Sequence, residues 1–468
     1  MKNNYHYLLC LGFGLFSLAT NAQIDQLSLI YNWDDPNIIG TSFYDNKYNE
    51  VWGFVQGGQE YAVIGSTEGV HFFNMDDLES GEIEAAFVQG TAVGGNLIHR
   101  DYHDYQGYLY TVADENQNAS NVSTLQIIDL SGLPQSTQIV YQSSDLVERA
   151  HNIFIDTLSG TLYAMGVRAN STFYSLRIFS LANPEQPTLL TSLPNANLNL
   201  PYVHDGYIEN GIGYFNCGGS GLYVVDFTEP ENPVLLGTLT SYQDQGYNHS
   251  GWVHGSEPVY YLADENHGLR IKVVDVSDYT DMDVVNYFDA ETDYPEESIP
   301  HNMIVLDNYL YVSYYFEGLQ VYDISDAYNP VRVAEYDTYP IVDFTDDYNG
   351  NWGVYPFPGS KRIIASDMRN GLFVFDPYDP STSTTDLSKG IKAKIYPIPF
   401  ESQFNVRLDQ VVNNDIQCEL YDLTGKLLHR EVHSTGSFEI IPPTHLQAGS
   451  YLLRLYNNEF NITTKLIK

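Results

Sequence analysis

Cysteine is nearly missing from this 468-residue chain, which carries only Cys10, Cys217 and Cys418. Three thiols so widely separated exclude a disulfide framework and any cysteine-rich zinc site. Positive charge is also scarce, with 21 lysines and arginines against 60 aspartates and glutamates and a formal net charge of −39. A surface of that sign repels phosphates and anionic headgroups, so nucleic acid is excluded as a partner. The acid excess itself reads either as oxygen ligands for divalent cations or as plain solubility. Beyond the run from Leu8 to Ala19 no apolar stretch is long enough to span a bilayer, so the mature chain is expected not to be integral to a membrane. A glycine-rich phosphate loop, an HExxH motif and a Ser-His-Asp order are likewise missing.

The apolar run follows Lys2 and ends at Asn21-Ala22-Gln23, with a small residue at the cut. That is the pattern of a signal peptide over residues 1–22, and it sends the chain to the periplasm. Cys10 precedes most of the run and follows Leu9 where a lipoprotein signal wants a small residue, which argues against a lipid anchor.

What is abundant is the material of strands. The chain has 39 tyrosines and 22 phenylalanines, set in short runs with valine and isoleucine. The runs repeat. A strand ending apolar-apolar-Asp, or a close variant of it, recurs as VHFFNMD (70 to 76), LQIIDLS (125 to 131), LRIFSLA (176 to 182), LYVVDFT (222 to 228), IKVVDVS (271 to 277), LQVYDIS (319 to 325) and LFVFDP (372 to 377). Upstream of each lies a tyrosine-centred strand, and before that a strand opened by a polar or aromatic pair. The openings are Trp52-Gly53, Arg100-Asp101, His151-Asn152, His204-Asp205, His249-Ser250, His301-Asn302 and Trp352-Gly353. One such unit cannot cover both of its faces, whereas seven packed side by side can, so an all-β, seven-bladed β-propeller is expected over residues 23–380. Most units close with a fourth strand after a proline. The seventh does not, and Leu27 to Trp33 reads as its displaced fourth strand.

A Ser/Thr-rich linker over 381–393 leads to a small C-terminal β-sandwich over 394–468. This segment carries Tyr396-Pro397-x-Pro399-Phe400, then Tyr421-Asp422-Leu423-Thr424-Gly425-Lys426, Gly449-x-Tyr451 and a terminal Lys465-Leu466-Ile467-Lys468. In that order it resembles the C-terminal sorting domain of the type IX secretion system of Bacteroidota, although Ile398 stands where the family usually has Asn. The resemblance implies handling by the type IX machinery and a secreted or cell-surface destination. The repeats, with Arg149-Ala150-His151-Asn152, His249-x-Gly251-Trp252 and Trp352-x-Val354-Tyr355-Pro356, resemble LVIVD-repeat propellers of the choice-of-anchor B family. That resemblance implies the propeller but no activity.

Three sets of residues carry chemistry. His151, His204, His249 and His301 open consecutive blades, so equivalent positions place four imidazoles at the mouth of the central channel, with Arg100, Asp101, Trp52 and Trp352 beside them. The imidazoles suit a divalent transition-metal ion or an anion pocket. The competing reading has each histidine bonded within its own blade. The pairs Asp114-Glu115 and Asp264-Glu265 read as acid/base or calcium groups, or as a repeated turn. Asp343 to Gly350 resembles half a calcium loop without its bidentate acid. No catalytic constellation stands out. A non-catalytic surface module binding glycan, protein or metal is therefore favoured over a hydrolase or lyase working at the channel.

Overall fold

The computed structural model describes residues 24–78, 84–91, 93–115, 125–340, 348–380, 393–396, 400, 402–408, 415–422, 426–443, 446–447, 449–457 and 461–468. The expected signal peptide, the 381–393 linker up to residue 392, Pro397, Pro399, Gly425 and most of the half calcium loop lie outside the described residues. The chain divides into two compact units, Met1–Tyr378 and Asp379–Lys468.

Among the described residues of the first unit there are seven sheets, each built around an antiparallel meander. Their first strands are Tyr48–Gln56, Leu97–Tyr105, Asn152–Asp156, Asp205–Glu209, Asn248–Val253, Pro300–Leu306 and Asn351–Pro356. Each first strand packs against the next, and the last packs against the first. Hydrophobic clusters fill every gap between neighbouring sheets. Tyr110, Val112 and Ile127 meet Ile153, Ile155 and Leu162 between the second and third sheets, for example, and Ile64 and Phe73 meet Ile364 and Val374 between the first and the seventh. Middle strands are thus covered on both faces, which is why they read as unbroken apolar runs rather than as alternating patterns.

The aspartate that ends many of the repeats has a local cause. Asp129, Asp226, Asp275 and Asp323 each accept the backbone N–H two residues on, at 2.8 to 2.9 Å, and turn the chain toward the fourth strand. The fourth strand of the seventh sheet is Leu29–Trp33, paired antiparallel with Gly371–Phe375. Trp33 fits there because residue 371 is glycine: its φ is +84°, and a Cβ would lie 1.9 Å from the Trp33 carbonyl oxygen. A second contact was not foreseen, since Asp25–Gln26 adds in parallel to Val331–Tyr336 at the edge of the sixth sheet.

In the second unit a three-stranded sheet (Ala393–Tyr396, Phe404–Leu408, Ser437–Ile440) and a four-stranded one (Ile416–Tyr421, Leu427–His433, Ser450–Tyr456, Asn461–Ile467) share one core of Phe400, Phe404, Ile416, Leu420, Leu453 and Leu466. Several residues of the sorting pattern have structural duties. Phe400 is buried in that core. The Lys426 N–H donates to Asp422, the Tyr451 hydroxyl donates to the Gln447 carbonyl, and Gly449 and Lys468 exchange two backbone hydrogen bonds. Tyr396 is exposed, and Lys465 lies in the last strand.

Candidate functional site

Side chains two apart on a strand share a face, and the seven first strands use this to stack three layers into the space they surround. The far layer is aromatic: Trp52, His103, Phe154, Tyr207, Trp252 and Tyr355, with Ile304 from the sixth sheet. It lines a hollow of about 400 Å³, and neighbouring rings lie 4.6 to 5.5 Å apart. Two residues earlier comes a polar layer, with Glu50, Asp101, Asn152, Asp205 and Asn302 around a small cavity of about 70 Å³. Gly353 holds the matching position in the seventh sheet, where a Cβ would lie 2.0 Å from Glu50 Oε1. Three carboxyl groups buried this close to one another resist ionisation. Burial pushes Asp101 up to about 8 and Asp205 to about 7, and burial together with the Asp101 charge raises Glu50 well above the carboxylate range.

Above the carboxyls lies a circlet of six rings: His99, His151, His204, His249, His301 and Trp352. Their centroids follow at 4.7, 4.0, 4.2, 4.4 and 4.9 Å, and His99 returns to Trp352 at 5.7 Å. A register shift falls at or before the polar layer in the first, second, fifth, sixth and seventh sheets. In the second sheet it falls at Ile98, three residues before Asp101, whereas in the fifth it falls at His249, directly before Ser250. The ring of the second sheet therefore stands two residues before the polar layer instead of one, and that is why the spacing of openings missed His99. The first sheet contributes no ring, because Asn49 stands there and donates to the Ile98 carbonyl.

Three expected mouth residues, Arg100, Trp52 and Asp101, are therefore corrected. Alternation along Leu97–Tyr105 turns His99 and Asp101 inward and Arg100 the other way. Arg100 is fully buried, its Nε donates to the Ser66 carbonyl, and its guanidinium occupies the space that Gly90 leaves open. Trp52 belongs to the far aromatic layer and packs on His103 and Tyr355. Asp101 sits one layer below the circlet, where it accepts the Ile153 N–H. Trp352 is in the circlet.

The circlet floors a basin of about 840 Å³. His151 donates from Nδ1 to Asp114 at 2.9 Å, and Arg149 approaches the other oxygen of that carboxylate at 3.6 Å. His301 Nδ1 is tied to the Trp352 carbonyl. Its Nε2 is left facing Glu265 Oε1 at 3.9 Å, while His249 Nε2 lies 3.6 Å from Glu265 Oε2. The Tyr315 hydroxyl donates to Glu265 Oε1 at 2.7 Å. His249, Glu265 and His301 are grouped so that one ligand atom from each lies within 4.8 Å of the others. His249 Nδ1 is buried without a hydrogen-bond partner.

Electrostatics divides the histidines. Burial, reinforced by their neighbours, drives His99, His204 and His249 well below the usual imidazole range, and burial takes His301 down to about 3. His151 moves the other way. Burial opposes its charge, but the hydrogen bond and charge of Asp114, with Asp205 and Asp101 behind it, raise it overall. Burial also lifts Glu265 to about 7.

The two carboxylate pairs separate as well. Asp264 is fully buried against Lys272 at 2.8 Å and accepts the Tyr242 hydroxyl, whereas its neighbour Glu265 reaches the basin. In the other pair Asp114 reaches the basin. The side chain of Glu115 is outside the described residues.

The C-terminal unit has a recognisable pattern. Residues 394–468 match the secretion system C-terminal sorting domain. This tag belongs to type IX secretion and marks the chain as secreted or displayed at the cell surface. Among the described residues no helix is long and apolar enough to cross a membrane. No curated protein matches the chain. Among solved structures, the WD40 repeats of RRP9 are similar at 8% identity and a TM-score of 0.48, covering 72% of this chain and 98% of that one. The WD40 β-propeller domain of Doa1 is similar at 13% identity and a TM-score of 0.47, covering 76% of this chain and 98% of that one.

Proposed function

We propose that the exported chain is a seven-bladed β-propeller of the LVIVD type, closed by its N-terminal strand. In this reading it is a non-catalytic surface module that binds its ligand through a divalent transition metal at the mouth of the channel. Of the four histidines singled out by spacing, His249 and His301 would hold the ion, with Glu265 as third ligand. The observation that carries this reading is the convergence of those three side chains, with Nε2 of His249 and Nε2 of His301 both turned to the Glu265 carboxylate.

The local chemistry suits a metal. A ligand imidazole must be neutral, and burial keeps both of these neutral at physiological pH. The bond from His301 Nδ1 to the Trp352 carbonyl leaves Nε2 with its lone pair toward Glu265, as an outer partner does in a built metal site. Two imidazoles and a carboxylate leave a coordination position open, and the space beside them is the basin. His151, engaged by Asp114, and His204, packed between His151 and His249, flank the site without completing it.

Titration of the metal-stripped chain with cobalt(II) tests this. One equivalent should give the visible absorption of a low-coordinate nitrogen-oxygen site, and His249→Ala and His301→Ala should each abolish it. An unchanged spectrum in both variants rejects the ligand set. The same open position favours a second reading, a metal-dependent hydrolase or lyase, for which metal-dependent turnover of a bound ligand would be the sign.

A further inference from the structure

The walls of the basin indicate what the metal would hold. The protein as a whole is strongly anionic, yet its basin is built to lose negative charge. Arg149 is the one lysine or arginine among the described residues lining it. Its backbone is pinned by paired hydrogen bonds with Arg168, and its side chain is mostly buried beside Asp114. The two lining carboxylates are both engaged, Asp114 with His151 and Arg149, and Glu265 with Tyr315. A divalent ion at His249, Glu265 and His301 would leave the floor net positive, and an anionic ligand would be drawn to it.

The rim is aromatic. Phe43 is 72% exposed and Phe173 is 50% exposed; Tyr202 stacks on Phe173 with ring centroids 6.0 Å apart and planes 24° from parallel. Tyr348 leans over Tyr315 at 5.0 Å on the side of Glu265. Flat, partly wet rings beside polar walls suit a ligand that offers one C–H face for stacking and hydroxyls around its edge, which is the surface of a pyranose.

We propose that the basin binds an acidic saccharide, a uronate whose carboxylate reaches the metal and Arg149 while its ring stacks on the Phe173–Tyr202 wall. This rests on the metal reading above. The test is calorimetry of the full exported chain, zinc-loaded and zinc-stripped, with oligogalacturonate, a neutral oligosaccharide of equal length, acetate and inorganic phosphate. The zinc-loaded chain should bind oligogalacturonate at least tenfold more tightly than each of the other three. Arg149→Gln should weaken that binding about tenfold and leave zinc affinity unchanged, which also shows that the variant is folded. Phe173→Ala should weaken oligogalacturonate without changing zinc binding. Equal affinity for the neutral sugar, for acetate or for phosphate overturns the proposal. Zinc binding with no oligogalacturonate binding overturns it and leaves the metal site standing, whereas no zinc binding removes both.

Discussion

Replacing Asp101 by asparagine should stabilise the protein, and by an amount that depends on pH. Asp101 is buried among Glu50 and Asp205, and its carboxyl is pushed from 3.8 up to about 8. A raised acid is a cost that grows with pH: below the unfolded value both states hold the proton, and above it the unfolded chain releases the proton while the native one keeps it. The stability is thus present below about pH 4 and is lost progressively up to about pH 8. At about 1.4 kcal/mol per pH unit, this one group costs about 1 kcal/mol at pH 4.5 and about 4 kcal/mol at pH 7. Asparagine cannot ionise, and its carbonyl oxygen can still accept the Ile153 N–H. Urea unfolding of the metal-stripped parent and Asp101→Asn should therefore show a gap that favours the variant and widens from pH 4.5 to pH 7. A gap that stays constant, or a parent that gains on the variant as pH rises, would refute the reasoning about the polar layer.

Other outcomes follow from the fold. Removing residues 24–33 deprives the seventh sheet of its fourth strand, and with it Trp33, which packs on Tyr48, His71 and Phe73. The loss should be at least the ~3 kcal/mol of truncating a large aromatic and should appear as a lower thermal midpoint; an unchanged melting curve contradicts closure by this strand. Truncation after residue 385 removes the sorting domain and should strand the protein in the periplasm, as read by cell fractionation. Surface display of the truncated chain would contradict that role.

Much of the fold was legible because repeats and turns carry their own physics. Aspartates that cap loops, apolar strands buried on both faces, and a strand missing from one end with a spare at the other all left marks in the residue order. Asp25–Gln26 left none, since two residues added to a sheet edge have no pattern. The site was legible only in part. Equal spacing brought out four histidines, but a register shift that falls earlier in the second sheet hid His99 and made the outward-turned Arg100 look like a mouth residue, while matching Trp52-Gly53 to Trp352-Gly353 put Trp52 in the wrong layer. Glu265 was visible as half of a repeated acidic pair and looked like a turn. Only the packing of sequence-distant Tyr315, His249 and His301 shows that it faces inward while Asp264 beside it is closed off by Lys272 and Tyr242.

The most direct test of the metal site is a crystal of the zinc-soaked exported chain measured on both sides of the zinc absorption edge. A single strong anomalous peak is predicted between His249, His301 and Glu265, about 2 Å from each ligand atom, and it should vanish in His249→Ala. An empty site at saturating zinc, or a peak held by other residues, would contradict the account.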